Sequence, residues 1–277
     1  MWAQRAWVGR YLPGDTPTGR ELQPYSRYVN AVEGNTTFYA LPPALTIRKW
    51  RELADPGFRF VFKVPRLITH ENRLRHSAAD LEAFVALLEP LGDLVGGLTL
   101  QLPPSFGPRD LDQLDIVLRN APKVWPWSVE VRHADLFGGD GRRTLERILN
   151  THCAERVILD TTVLFHRTPV TSAGHEEWQT KPRVPRMAEP LTDRPIVRFV
   201  GSDFPDLNAD GLASWHNTVA EWLGQGRTPT FFVHTPDNAH TPVLARGFHD
   251  AVRTLVPELD PLTEPWPVAT PEQISLF

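Results

Sequence analysis

The chain has 277 residues, with 29 Lys and Arg against 33 Asp and Glu and a net charge of -4, which excludes a wholly basic nucleic-acid-coating surface but leaves room for a local basic cleft. Its single cysteine, Cys153, excludes an internal disulfide and a cysteine-based metal cluster. Hydrophobic residues make up 41% and charged residues 22%, which is globular usage; no window approaches the ~18 uninterrupted apolar residues of a membrane span, and without a basic-then-apolar leader the expected location is cytoplasmic.

Strand-like and helix-like runs alternate along the whole chain, the pattern of parallel βα units rather than of a sandwich. Strands are predicted at 31–34, 59–64, 98–102, 128–132, 156–160, 196–200 and 230–233. Amphipathic cover helices are predicted at 43–53, 78–91, 111–120, 142–152, 210–223 and 239–255, where apolar residues recur at helical spacing. The 27 prolines fall mostly between these segments, where they stop one element before the next begins.

The fold expected is α/β, a TIM-type (β/α)8 barrel over 1–257 followed by an extended Pro-rich tail over 258–277. Seven strands are readable where a ring of this type has eight, and no apolar run precedes Trp7-Val8-Gly9-Arg10-Tyr11-Leu12-Pro13. The first strand is therefore expected to be absent or truncated, through a late start site or a shortened chain, leaving an open edge of unpaired backbone groups. Residues 167–194 fit neither period and are expected to form a long loop over the barrel mouth.

The run Val32-Glu33-Gly34-Asn35-Thr36-Thr37-Phe38-Tyr39-Ala40-Leu41-Pro42 resembles a signature of the domain-of-unknown-function 72 family, the YecE-like proteins. Further matches follow in order: 58–66 with Ile68-Thr69-His70, then Leu100-Gln101-Leu102-Pro103-Pro104-Ser105-Phe106, Val129-Glu130-Val131-Arg132-His133, Asp160, and Val197-Arg198-Phe199-Val200-Gly201. The resemblance spans about Trp7 to Ala251. It implies a TIM-type barrel of the kind shared with xylose isomerases and apurinic endonucleases, and it implies no established reaction. The chain departs from the family pattern where it reads Arg198-Phe199-Val200-Gly201, without a His before the Gly, and where Val233-His234-Thr235-Pro236-Asp237-Asn238 replaces a Phe-Asn-Asn run.

In a parallel barrel the loops after the strands build the active site. By that rule Glu33, Asn35, Lys63, Gln101, Glu130, Arg132, Asp160, Arg198 and His234 are expected to converge on one mouth. Alternation puts Glu130 and Arg132 on one side of their strand, where they serve one ligand or pair with each other. Glu33, Asp160 and Glu130 are the candidate catalytic carboxylates. With His70 and His234, Glu33 and Asp160 are also candidates for a divalent metal site of diffuse spacing. Lys63, Arg66, Arg132 and Arg198 offer donors for a phosphate or carboxylate, so an anionic ligand is expected. A charge network that satisfies only itself is the competing reading of Glu130, Arg132 and Arg198. Phe38 and Tyr39 either stack on a sugar or base or pack within the turn.

The chain ends in Gln273-Ile274-Ser275-Leu276-Phe277, which resembles the bacterial sliding-clamp-binding peptide; Leu276 and Phe277 would fill an apolar pocket and Gln273 would bond at its edge. Three functions are consistent with these residues. They are a DNA-associated phosphodiesterase or repair enzyme recruited by the clamp, a small-molecule enzyme acting on a sugar or sugar phosphate, and a non-catalytic binder of nucleic acid or nucleotide.

Overall fold

Runs rich in aromatic and β-branched residues, covered on both faces, become parallel strands. These are β1 (Ala31–Gly34), β2 (Arg59–Lys63), β3 (Val95–Gln101), β4 (Trp127–Glu130), β5 (Glu155–Arg156), β6 (Ile158–Asp160), β7 (Ile196–Val200) and β8 (Thr230–His234) in the computed structural model, which describes residues 2–267. The helices are α1 (Leu22–Tyr28), α2 (Thr36–Tyr39), α3 (Ala44–Leu53), α4 (Ala78–Leu88), α5 (Leu111–Asn120), α6 (Gly139–Thr151), α7 (Ser172–Thr180), α8 (Pro205–Ala213), α9 (His216–Gly224) and α10 (Thr241–Leu255).

The strands form two parallel sheets, β1-β2-β3-β4-β5 and β6-β7-β8. Only Val157 separates β5 from β6, and its amide donates to the Val129 carbonyl at 2.9 Å. The two sheets are therefore one wall of seven strand runs, at the seven places read from the sequence. No ladder hydrogen bonds join β8 to β1 among the described residues. All five residues of β8 are half-buried, whereas all five of β7 are buried. The barrel thus has a seam between β8 and β1 in place of a ring closed by backbone pairing. Gln4 and Trp7 stand against the cavity at that seam, and the Trp7 indole Nε1 donates to the Asn238 carbonyl beyond β8 at 3.0 Å.

Side-chain parity sorts the wall into two faces. Val61, Val157, Ile196 and Phe232 touch one another, and residues on β2, the β5–β6 run, β7 and β8 meet in this way across the barrel interior. Phe60, Phe62, Leu98, Leu100 and Val129 belong to the large cluster shared with the helices outside. Ile158, Val197, Phe199, Trp215 and Phe248 form a second outer cluster. Gly34 is required by close approach: a Cβ there would overlap the Phe62 ring, so any side chain would force the β1–β2 contact apart.

Two expectations are corrected. The stretch 167–194 contains helix α7, which the absence of an apolar period concealed. It is started by polar groups: the Thr171 hydroxyl accepts from the Gly174 amide at 2.9 Å, and the Asp203 carboxylate accepts from the Val170 and Thr171 amides at 2.8 and 2.9 Å. The helix expected over 210–223 is two helices, α8 and α9, divided at Ser214 and Trp215. Trp215 is fully buried there beneath the Arg186 guanidinium, 3.7 Å from its ring centroid.

Candidate active site at the strand ends

Glu33 stands near the end of β1 and Lys63 closes β2, and Thr37 ties these two strand ends together. Its fully buried hydroxyl lies 2.6 Å from the Lys63 carbonyl and 3.0 Å from the Gly34 carbonyl. Three groups then meet on the Glu33 carboxylate. Arg198 Nε reaches both oxygens at 3.0 and 3.2 Å, Lys63 Nζ lies 3.2 Å from Oε1, and Asn35 Nδ2 donates to Oε2 at 2.9 Å. Lys63 also donates to Gln101 Oε1 at 2.6 Å and stands 3.8 Å from Glu130 Oε2. Arg132 closes the network through Nε and Nη2, which donate to Glu130 Oε1 at 2.8 and 2.6 Å.

The network decides its own protonation. Burial alone pushes the Glu33 carboxyl up, but Arg198 and then Lys63 outweigh it and hold the group well below the usual carboxylate range. Burial likewise pushes Glu130 up, and Arg132, Lys63 and Arg198 bring it down to about 2. For Arg198 burial works against the charge, and Glu33 and Glu130 reverse that effect, so the guanidinium is held still more firmly protonated. Burial pushes the Lys63 ammonium down, against the opposing pull of Glu33 and Glu130, so two guanidiniums and one lysine face two carboxylates, and most of the positive charge expected to hold an anion is already neutralised. The expectation of an anionic ligand weakens accordingly.

These groups open onto a cavity of about 790 Å³ lined by Glu33, Asn35, Lys63, Gln101, Arg132, Arg198 and His234, which lies in the usual range of ligand sites. Glu130 is fully buried behind Lys63 and Arg132. Asn35 Oδ1, Glu130 Oε2 and Arg198 Nη1 are buried and make no hydrogen bond among the described residues, a cost that a bound molecule can relieve. From the seam side Phe231, Phe248, Val252 and Leu259 add an apolar flank.

The remaining expected site residues are placed elsewhere. Asp160 points away from the mouth: its carboxylate accepts from Trp215 Nε1 at 2.7 Å and from the Thr162 amide at 3.0 Å, on the helix side of the wall. Parity is the reason, since Leu159 packs with Leu164 and Val200 while Ile158 joins the outer cluster, and Asp160 falls on the outer side with Ile158. Arg66 is exposed, 3.9 Å from Glu71. His70 stays behind the cavity wall, edge-on to Phe38 with ring centroids 5.1 Å apart. Burial first, then Arg132 and Arg66, push its imidazole down to about 4. Phe38 is buried in the turn and Tyr39 is exposed at its rim, both on the cavity wall.

The metal reading finds no ligand set: no group of three or more His, Cys, Asp and Glu side chains is disposed to hold an ion among the described residues. Among the cavity residues that escaped the sequence reading are Glu177 on α7 and Lys181 just after it. Lys181 Nζ lies 2.9 Å from Glu177 Oε2, and His234 Nε2 lies 3.3 Å from the same oxygen. Their sequence signal is faint, a Thr cap three residues before a Gly in an otherwise polar stretch. The clamp-like residues Gln273 to Phe277 lie outside the described residues.

A parallel α/β wall of barrel type, with helices outside and a charged cavity at the strand ends, defines the class of protein. The family described as "Protein of unknown function DUF72" matches over residues 1–269, and the chain belongs to that family. It is 38% identical to the UPF0759 protein YecE of Escherichia coli K12, over the whole of this chain and 97% of that protein. Two solved structures share its fold. A DUF72 family protein from Thermotoga maritima MSB8 aligns over 91% of this chain and 96% of its own with a TM-score of 0.70 at 19% identity. A DUF72 family protein from Enterococcus faecalis V583 aligns over 96% and 97% with a TM-score of 0.68 at 17% identity. No helix among the described residues is long and apolar enough to cross a membrane.

Proposed function

We propose that the protein is a small-molecule enzyme acting on a sugar or sugar phosphate. The observation that carries this reading is the mixture of unused groups on one cavity wall: a buried donor, Arg198 Nη1, beside a buried acceptor, Asn35 Oδ1. Hydroxyl groups both donate and accept, so a polyol answers this mixture. A multiply charged phosphate backbone would need cations that are not already paired. With at most one positive charge in surplus, the inner network matches a neutral sugar or one carrying a phosphate, and Phe38 and Tyr39 stand on the wall beside it.

The test is a thermal-shift and ligand-detected NMR screen of monosaccharides, sugar phosphates, nucleotides and abasic DNA. A binder from the sugar classes, present at about 100 times its Kd, should stabilise the fold by about 2.7 kcal/mol and lose that effect in Gln101→Leu. Binding by DNA alone, or by nothing in the sugar classes, would overturn the reading.

The DNA-associated alternative, a phosphodiesterase or repair enzyme, draws its support from the Gln273-Ile274-Ser275-Leu276-Phe277 sequence. It is a proposal about recruitment that stands apart from the cavity. A peptide ending at Phe277 should bind a bacterial sliding clamp with a Kd on the order of 10 μM, about -7 kcal/mol, and lose binding in the Leu276→Ala, Phe277→Ala double variant. A peptide with no measurable affinity would remove the clamp as partner.

A further inference from the structure

The carboxylates nearest the cavity floor are poorly suited to proton transfer. Glu33 is engaged by Arg198, Lys63 and Asn35, and Glu130 by Arg132 and Lys63. Each is stabilised as an anion and has little affinity for a proton. Asp160 faces the helices. A reaction at a sugar hydroxyl or an adjacent carbon still needs a proton acceptor on the wall.

His234, Glu177 and Lys181 form a second group on that wall, separate from the inner ion pairs. Their side chains are mostly buried, at 22%, 16% and 16% exposure. Glu177 Oε2 is shared between Lys181 Nζ at 2.9 Å and His234 Nε2 at 3.3 Å. His234 Nε2 and Glu177 Oε2 are buried and face each other without hydrogen-bond geometry, so Glu177 acts on the ring through its charge at close range. A carboxylate that close to Nε2 favours the tautomer with hydrogen on Nε2, which keeps the lone pair of Nδ1 for another partner.

We propose that His234 is the proton-transfer group of this site, with Glu177 fixing its tautomer and Lys181 holding Glu177 in place. The inference rests on the small-molecule reading and deepens it. In the step, a substrate O–H bond breaks and a bond from hydrogen to His234 Nδ1 forms, giving an imidazolium beside Glu177 and an alkoxide that faces the Arg198 guanidinium. Charge is conserved and no oxidant or reductant takes part. Glu177 and Lys181 are positioning residues, and the carboxylate stabilises the imidazolium as it forms, the logic of a His–carboxylate pair. The electrostatics agree: burial pushes the His234 imidazole down, Glu177 opposes that, and Arg198 and Lys181 reinforce it, so the ring is neutral and ready to accept at neutral pH.

The experiment is long-range ¹H–¹⁵N spectroscopy of the full chain labelled at histidine, with the His234 signals assigned by their loss in His234→Gln. At neutral pH the expected ring is neutral and in the Nε2–H form. Glu177→Gln should shift the tautomer balance and move the titration midpoint further down, and Glu177→Asp should restore most of both. A ring protonated on Nδ1, a doubly protonated ring at neutral pH, or signals indifferent to Glu177→Gln would overturn the proposal. These readouts need no substrate. Failure of the sugar screen would therefore remove the substrate class and leave the ring signals as they are, whereas an Nδ1–H ring would remove the dyad with binding intact.

Discussion

Arg198→Met is expected to destabilise the fold by about 3–5 kcal/mol, the cost of leaving a buried carboxylate without its main partner. The substitution keeps most of the side-chain volume, so cavity formation adds little, and the loss falls on Glu33, whose two oxygens lie 3.0 and 3.2 Å from Arg198 Nε. Lys63 at 3.2 Å remains, but it must already serve Glu130 and Gln101. Adding Glu33→Gln to Arg198→Met removes the stranded charge. The double variant should accordingly recover much of the stability, with a coupling energy of about 2–3 kcal/mol in the double-mutant cycle. Urea midpoints at constant slope measure both single variants and the double variant. Additive effects would mean that the two side chains do not depend on each other, and the inner network would lose its central link.

That link could be anticipated from the sequence, although the pairing itself could not. Glu33, Lys63, Gln101 and Arg198 interrupt apolar runs near strand ends, and a parallel barrel brings such positions together whatever the distance along the chain, here 165 residues between Glu33 and Arg198. Val129-Glu130-Val131-Arg132 alternates visibly, so its inward side was readable. The run Arg156-Val157-Ile158-Leu159-Asp160 does not alternate, because a strand covered on both faces is apolar on both. Nothing in it reveals which side Asp160 takes, and the structure turns it toward Trp215.

Glu177 and Lys181 were hidden for a different reason. Their helix is held by a Thr cap and the Asp203 carboxylate, interactions that depend on a residue far along the chain and leave no periodic trace. The open seam, in contrast, was anticipated simply by counting strands. Its effect on function could not be: the half-buried strand β8 places apolar rings beside the charged mouth, so one cavity combines a polar end with an apolar flank.

Stability should fall as the pH is lowered, beginning near about 6.5 and steepening below about 4.5. The first part belongs to the histidines that burial pushes down, His234 and His216 among them, and most clearly to His70, whose imidazole is pushed down to about 4 by burial and then by Arg132 and Arg66. Because the unfolded chain takes up that proton first, the contribution is complete above the unfolded value and is lost as pH falls from about 6.5 through about 4. The larger part belongs to the carboxylates. Burial raises Glu130 and Glu177, but their cationic and imidazole partners overcome it and bring both to about 2; Glu33 lies below the usual range for the same reason. A depressed carboxylate stabilises the fold above its unfolded value and loses that contribution as pH falls through the folded one, so the window runs from about 4.5 to about 2 and lower for Glu33. For fully buried Glu130 the contribution is about 3 kcal/mol at about 1.36 kcal/mol per unit. Salt should change this slope little, because buried pairs are poorly screened. Denaturation midpoints between about pH 7 and about pH 3, at low and high salt, give the comparison, and Glu130→Gln should flatten the acid limb. A fold equally stable at both ends of that range would mean that these carboxylates are not held as buried anions, and the largely neutralised cavity that favours a polyol would have no basis.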